Sequence, residues 1–143
     1  MVAWSKISMS YEEWHIPKDL LESPAVTNRN LFAQKISSLD VDEILAKYVY
    51  FNSNQLKSFF DIIFNLITPV RFEGTGLELG AGVCVFSALM CRKFKHIKKI
   101  YSVELVSDVI KLLQPRTISK MNNDSISQIT SVHGSFDEIN LPD

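Results

Sequence analysis

The sequence lacks the features that mark several specialised classes of protein. Only two of its 143 residues are cysteine, and 15 basic side chains nearly balance 16 acidic ones. A disulfide-stapled scaffold is therefore excluded, and net charge gives no attraction to nucleic acid or to an anionic membrane. No apolar run approaches the ~20 residues of a membrane span, and Met1–Ser10 has no signal-peptide pattern. We expect no membrane partner.

The two cysteines fall within one predicted helix. Cys84 and Cys91 would lie on one face, about 10 Å apart at ~1.5 Å rise per residue, which is too far for a disulfide. The three histidines are scattered and match no metal-ligand spacing. We expect buried reduced thiols in a cytoplasmic protein, and no metal.

Residues 1–70 are predicted to form an N-terminal helical segment. Ser23-Pro24 marks a boundary before a helix at Thr27–Ile36, because the residue before proline is disfavoured in a helix. Asp40 is a candidate N-cap of a second helix, with Asp42 and Glu43 in its first turn. A third helix should follow Asn52-Ser53 and end before Pro69. Its predicted apolar face comprises Leu56, Phe59, Phe60, Ile63, Leu66 and Ile67.

Residues 71–143 alternate between strand and helix patterns, which is typical of an α/β protein with parallel βαβ units. We expect the first strand at the centre of a larger sheet and helices on both faces. A helix after the second strand should start at the N-cap Ser107 and kink or end at Pro115. The other predicted elements are strands at Thr75–Leu79, Lys99–Glu104 and Ser127–His133, and a helix at Val83–Phe94.

A glycine-rich turn follows the first predicted strand. Gly80-Ala81-Gly82 stands at the carboxyl end of that strand, where open α/β sheets bind ligands, and glycine leaves the backbone accessible. The alternative is a tight turn with no ligand. Two carboxylates favour a ligand. Glu78 precedes the turn by two positions, and Glu104 ends the second strand, where it could accept both hydroxyls of a ribose.

The same residues discriminate between nucleotide classes. A dinucleotide site needs Gly-x-Gly-x-x-Gly, and Val85 occupies the position of its third glycine. Glu78 would also repel a pyrophosphate, whereas it would attract the sulfonium and ammonium groups of S-adenosylmethionine.

Three segments resemble motifs of the class I, Rossmann-like, S-adenosylmethionine-dependent methyltransferases. Leu77-Glu78-Leu79-Gly80-Ala81-Gly82 is similar to the first motif, and Ser102-Val103-Glu104-Leu105 to the acidic motif of the second strand. Val132-His133-Gly134-Ser135-Phe136 resembles the segment after the third strand. The resemblance covers roughly residues 74–143.

The resemblance implies a role for each matching residue. Glu78 and the backbone of Gly80, Ala81 and Gly82 would hold the methionine end of S-adenosylmethionine. Glu104 would hold the ribose, Leu105 would pack on the adenine, and Ser135 and Phe136 would flank the adenine edge. The chain departs from the family at Cys84, where a third glycine is common, and at Ser135, where an acid is common. Asp137 is the alternative acceptor for the adenine amine.

The sequence therefore predicts the cofactor-binding portion of a methyltransferase. The alternatives are an inactive methyltransferase-like scaffold and, third, a dinucleotide-dependent oxidoreductase. We expect the pattern to stop before the family's fourth strand, which would leave an exposed sheet edge open to self-association and this chain inactive alone. No residue is assigned as a catalytic base, and protein, small-molecule, lipid and RNA acceptors stay open. Tyr48, Tyr50 and Phe51 are either packing aromatics or a flap over the cofactor.

Overall fold

Strands and helices alternate through the second half of the chain, after a run of helices. The structure is a computed structural model that describes residues 18–67 and 71–135. Its helices are α1 (Lys18–Leu21), α2 (Pro24–Ile36), α3 (Val41–Val49), α4 (Ser53–Leu66), α5 (Val85–Lys93) and α6 (Gln114–Asn122), and its strands are β1 (Gly74–Leu79), β2 (Ile97–Glu104) and β3 (Ile129–His133). A π-helical turn at Val109–Leu113 precedes α6, and a 3₁₀ turn at Asn123–Ser127 follows it.

The N-terminal helices begin at polar caps. The Asp40 side chain accepts from the Glu43 amide, and the Glu43 carboxylate accepts from the Asp40 amide, which confirms the predicted cap of α3. Asn52 and Gln55 make the same reciprocal pair at the start of α4. Helix α2 starts three residues before the predicted Thr27, because proline fits the first helical turn, where no amide donor is needed.

Helix α4 buries part of the predicted apolar face: Leu56 is buried, and Phe60, Ile63 and Ile67 are partly buried against the same core. Phe64, outside the predicted set, is 1% exposed, whereas Phe59 and Leu66 are 54% and 77% exposed. The difference arises because α4 packs on α5, where the Phe64 ring makes edge contacts with Phe86 and Phe94. Pro69 lies outside the described residues.

The three strands form a parallel sheet in the order β1-β2-β3, as predicted. Glu78 on β1 is in register with Ser102 on β2, and Glu104 is in register with His133 on β3. The carboxyl ends of all three strands therefore meet at one edge of the sheet.

The described helices that pack on the sheet share one face of it, and helices on both faces stay a prediction. Helices α5 and α6 pack together in one core with Ile97, Ile100 and Ile129. The opposite face carries the small cluster of Leu77, Tyr101, Val103 and Val132, to which no described helix contributes. Two successive right-handed crossovers in one direction place both helices on the same face.

The helix after β2 continues past Pro115, since its π-helical turn passes into α6 one residue before this proline, and Ser107 is not its N-cap. The alternative, a kink at Pro115, stays a prediction. Ser107 is the first residue of the helix, and its hydroxyl donates to Asn30 Oδ1 over 3.3 Å. At the end of the π-helical turn the Gln114 amide donates to Val109 O, one residue further back than in an α-helix. Pro115 follows at the first turn of α6, where its missing N–H costs least.

The N-terminal helices share the core of the α/β part. Arg116 of α6 donates to the carbonyl oxygens of Ser37 and Leu39, between α2 and α3. Asn30 Oδ1 of α2 accepts from the Asp108 amide over 3.0 Å. Buried residues of α2, α3 and α4 pack with those of α5 and α6 in one cluster, which fixes the N-terminal segment beside the sheet.

Among the described residues, strand β1 is paired along one edge only, by β2. That its other edge is exposed stays a prediction. A cavity of about 340 Å³ runs along this edge, with walls that include Gly76, Leu77, Phe86 and Met90. None of the described helices combines the length and apolarity that a membrane span requires.

Candidate functional site

The turn after β1 has the left-handed backbone that its glycines predict. Gly80 and Gly82 have φ angles of 65° and 52°, and Cys84 has 62°. The turn is fixed to the sheet because the Ala81 amide donates to Val103 O over 2.9 Å. Cys84 therefore adopts a left-handed conformation that favours glycine.

Glu104 connects the end of β2 to this turn. Its side chain is 6% exposed; Oε2 accepts from the Gly82 amide over 2.8 Å, and Oε1 accepts from the Val106 amide over 2.9 Å. A carboxylate offers about four lone-pair sites. The two backbone amides use two of these, so each oxygen keeps one site for a ligand hydroxyl.

Two buried polar side chains of α6 hold the turn from the other side. Gln114 Nε2 donates to Gly82 O over 2.6 Å, and Thr117 Oγ1 donates to Val83 O over 2.5 Å. Both side chains are 0% exposed. Neither residue was predicted from the sequence. Their spacing of three positions places two polar side chains on one apolar helix face, and this pattern could have indicated a buried hydrogen-bonding role.

A cavity of about 300 Å³, here called the Glu104 cleft, opens above the turn. It brings together five of the predicted site residues, Gly80, Gly82, Glu104, Leu105 and Ser135. Arg29 of α2 and Tyr48 of α3 complete its wall, together with Val103 and Gly134. Thus the cleft combines the carboxyl ends of β1, β2 and β3 with the N-terminal helices.

Glu78 and Ala81 line a second cavity instead. This cavity of about 370 Å³, here called the aromatic cavity, shares Gly80, Gly82 and Tyr48 with the Glu104 cleft. Its walls include the aromatic side chains of Tyr48, Phe51, Phe59, Phe60 and Phe86. The two cavities therefore adjoin at the glycine turn.

The Glu78 carboxylate lies between β1 and α5. Its Oε2 accepts from the Ser87 hydroxyl and, over 3.5 Å, from the Ser102 hydroxyl. Burial raises the pKa of Glu78, and the hydroxyl of Ser87 partly offsets that increase.

Tyr48 stands over Gly82, between the two cavities. A Cβ atom on Gly82 would lie 3.2 Å from Tyr48 Cε1, so the ring sits directly on the glycine. Burial, with a smaller contribution from the negative charge of Glu104, raises the pKa of Tyr48 to about 12, and the phenol stays neutral at physiological pH. Of the three aromatics considered as a flap, Tyr48 covers the turn, whereas Tyr50 is 84% exposed and Phe51 stacks on Phe59.

The segment after β3 approaches the cleft through its first residues. The Gly134 amide donates to Glu104 O over 3.1 Å, and His133 Nε2 lies 2.7 Å from Leu105 O. Burial lowers the pKa of His133, which favours a neutral imidazole that donates to this carbonyl. Ser135 is buried at the cleft wall. Phe136 and Asp137 lie outside the described residues.

The cysteines are free and buried, as expected. Burial raises the pKa of both thiols, to about 11 for Cys91. Within residues 18–67 and 71–135, no group of three or more histidine, cysteine or acidic side chains is placed to hold a metal ion. Comparisons with family models, with curated proteins and with solved structures found no match to this chain.

Proposed function

We propose that this chain is the cofactor-binding portion of an S-adenosylmethionine-dependent methyltransferase. The observation that carries the proposal is the Glu104 carboxylate, which is bonded to the Gly82 amide while both residues line one cleft. This arrangement joins an acceptor for ribose hydroxyls to a bare backbone turn, as a nucleoside-containing cofactor requires.

The volume of the cleft, about 300 Å³, lies within the range for small-ligand sites, and its hydrogen-bonding groups support the proposed cofactor. Glu104 keeps lone pairs for the ribose hydroxyls, and Leu105 offers an apolar surface for the adenine. A Cβ atom on Gly80 would meet nothing within 4 Å, so the turn leaves open space for the methionine end. Bound there, S-adenosylmethionine would supply an electrophilic methyl group, while the protein orients the reactants and excludes water.

The charges beside the turn favour this cofactor over a dinucleotide. Glu78 and Glu104 both lie next to the turn, and burial, with a smaller contribution from the negative charge of Glu104, raises the pKa of Glu78. A pyrophosphate would add negative charge at this place, whereas a sulfonium and an ammonium group would compensate the charge already there.

The test is a calorimetric titration of the chain and of Glu104→Ala with S-adenosylmethionine. Loss of a charge-assisted acceptor should weaken binding by about 1.5–3 kcal/mol. Glu73→Gln, at an exposed residue outside the Glu104 cleft, is the control and should bind as the parent does.

Glu104 also accepts from two backbone amides, so the free energy of unfolding of each variant must be measured in parallel. Unchanged affinity in a folded Glu104→Ala variant would disprove the ribose assignment. Tighter binding of NAD than of S-adenosylmethionine by the parent chain would disprove the class of function.

We also propose that the protein works in the cytoplasm, since two buried free thiols suit a reducing compartment.

A further inference from the structure

The aromatic cavity is not needed for the nucleoside, and its walls have a chemistry of their own. Five aromatic side chains surround it, and Glu78 lines it together with the glycine turn. Among the described residues that line it, none is basic. The cavity thus combines negative ring faces with one carboxylate, which is the combination that attracts an organic cation.

The aromatic rings are held by contacts with one another. Phe51 and Phe59 stack at a centroid distance of 6.4 Å, and Phe59 meets Phe60 edge to face at 5.4 Å. Phe60 in turn contacts Phe86 at 5.9 Å. Phe51, Phe59 and Phe86 are nevertheless 50%, 54% and 40% exposed, so these rings form an open entrance.

Glu78 is the one charged residue among the described residues that line the cavity. Its Oε2 accepts from the Ser87 hydroxyl and, over 3.5 Å, from the Ser102 hydroxyl. Burial disfavours the ionised carboxylate, and a cationic N–H group beside it would stabilise the negative charge.

We propose that the aromatic cavity binds an alkylammonium group, such as the side chain of lysine, and that the methyl acceptor is therefore an aliphatic amine. The alkyl chain would contact Phe51 and Phe59, and the ammonium group would reach Glu78. Glu78 would then serve the acceptor, and the backbone of Gly80, Ala81 and Gly82 would hold the methionine end of the cofactor. For methyl transfer the ammonium group would first give a proton to the Glu78 carboxylate, because only the neutral amine has a lone pair for the methyl group. The assignment of the acceptor rests on the proposed function, because the cavity adjoins the Glu104 cleft at Gly80, Gly82 and Tyr48. A cavity of about 370 Å³ lies within the range for small-ligand sites.

The test uses two probes that differ only at the end of the side chain. Nα-acetyl-lysine methylamide carries the ammonium group, and Nα-acetyl-norleucine methylamide carries a methyl group instead. We expect the lysine probe to bind the full chain at least about tenfold more tightly, equivalent to ~1.4 kcal/mol. Equal affinity of the two probes would overturn the proposal.

Two variants, each with its own control, show where the lysine probe binds. Glu78→Gln keeps an oxygen acceptor for Ser87 but removes the charge, and it should abolish the preference for the lysine probe. Glu73→Gln removes an exposed charge outside the cavity and should not. Phe59→Leu should weaken binding of the lysine probe severalfold, whereas Ile62→Leu, at an exposed position of α4 outside the cavity, should leave it unchanged. If Glu78→Gln does not fold, Phe59→Leu tests the proposal by itself. Unaltered binding of the lysine probe by Phe59→Leu would overturn the proposal.

Titration of the lysine probe with S-adenosylhomocysteine already bound separates this inference from the proposed function. Simultaneous binding of both supports the acceptor assignment. Mutual exclusion of the lysine probe and S-adenosylhomocysteine would show that the aromatic cavity holds the cofactor itself. That result would overturn the assignment of the aromatic cavity to the acceptor but not the proposed function. Lysine-probe binding by a chain that binds neither S-adenosylmethionine nor S-adenosylhomocysteine would keep the cation site and disprove the proposed function, and with it the acceptor assignment.

Discussion

At the scale of single residues, Gly80 and Gly82 share a left-handed backbone but differ in their surroundings. A Cβ atom on Gly80 would meet nothing within 4 Å, whereas one on Gly82 would press on the Tyr48 ring at 3.2 Å. Gly80→Ala should cost about 1–2 kcal/mol of unfolding free energy from the backbone alone. Gly82→Ala should cost more, because the ring must also move.

Urea denaturation of the two variants checks this difference, and Gly80→Ala serves as the control for backbone strain. An equal loss of unfolding free energy in both variants would show that the Tyr48 ring moves away from the turn at no cost. A larger loss for Gly82→Ala, removed by adding Tyr48→Ala, would locate the cost in that contact.

Glu78 makes stability depend on pH in the direction opposite to a salt-bridged acid. Burial raises the pKa of Glu78 above its ordinary value of 4.5, so the native state holds a proton that the unfolded state has released. The stability due to this group is present in full below pH 4.5 and is lost as the pH rises through the native pKa. Glu78→Gln should therefore stabilise the unliganded protein at pH 7 and lose that advantage near pH 4.5.

Urea unfolding at several pH values between 4.5 and 8 measures the effect. The free-energy difference between Glu78→Gln and the parent should grow with pH over this range. A constant difference would mean that Glu78 ionises in the folded chain as it does in the unfolded one. The variant Glu73→Gln, whose carboxylate is exposed, controls for the change in net charge.

At the scale of elements, α6 supports the glycine turn through Gln114. In the buried side-chain amide of Gln114, Nε2 donates to Gly82 O and Oε1 accepts from the Ser131 hydroxyl, so this side chain joins α6, the turn and β3. Gln114→Leu leaves both partners unsatisfied, at a cost of about 1–3 kcal/mol per buried group. Gln34→Leu removes an exposed hydrogen bond to Asp108 and should change stability by no more than about 0.5 kcal/mol.

Thermal or urea unfolding compares the two glutamine variants. Hydrogen exchange at the Gly82 amide adds a local measure, because this amide should lose protection in Gln114→Leu even where the global fold survives. Equal stability of both variants would show that the turn is held by Glu104 and by its own backbone, and that α6 contributes only apolar packing.

At the scale of the whole molecule, the edge of β1 that no described strand pairs with bears on the oligomeric state. Unpaired strand edges recruit other chains, and the exposed Leu79 and Phe86 add apolar surface nearby. We expect this chain to self-associate in a concentration-dependent way. Leu79→Lys should reduce the association, because a charge on an edge strand opposes pairing.

Light scattering over a range of concentrations tests this expectation. Ile126→Lys is the matched control, since Ile126 is 50% exposed and Leu79 48%, but Ile126 lies in the 3₁₀ turn away from β1. A monodisperse parent chain would contradict the expectation, and so would an equal effect of the two lysine variants.

The sequence by itself determined the features that depend on neighbours along the chain. The caps at Asp40 and Asn52, the alternation of strand and helix, and the left-handed turn at Gly80 and Gly82 follow from local conformational preferences. The position of Glu104 beside this turn also followed from sequence, because parallel strands place their carboxyl ends at one edge.

Only the tertiary structure decided what depends on contacts between distant segments. Tyr48 on Gly82, the bond from Gln114 to Gly82, and the placement of Glu78 in a separate cavity join residues far apart in the chain. On α4, the exposure of Phe59 and Leu66 and the burial of Phe64 departed from the prediction for the same reason, because helical periodicity shows which residues align but not which neighbour covers them. Local patterns therefore gave the elements and the turn, whereas packing of the N-terminal helices produced the second cavity beside it.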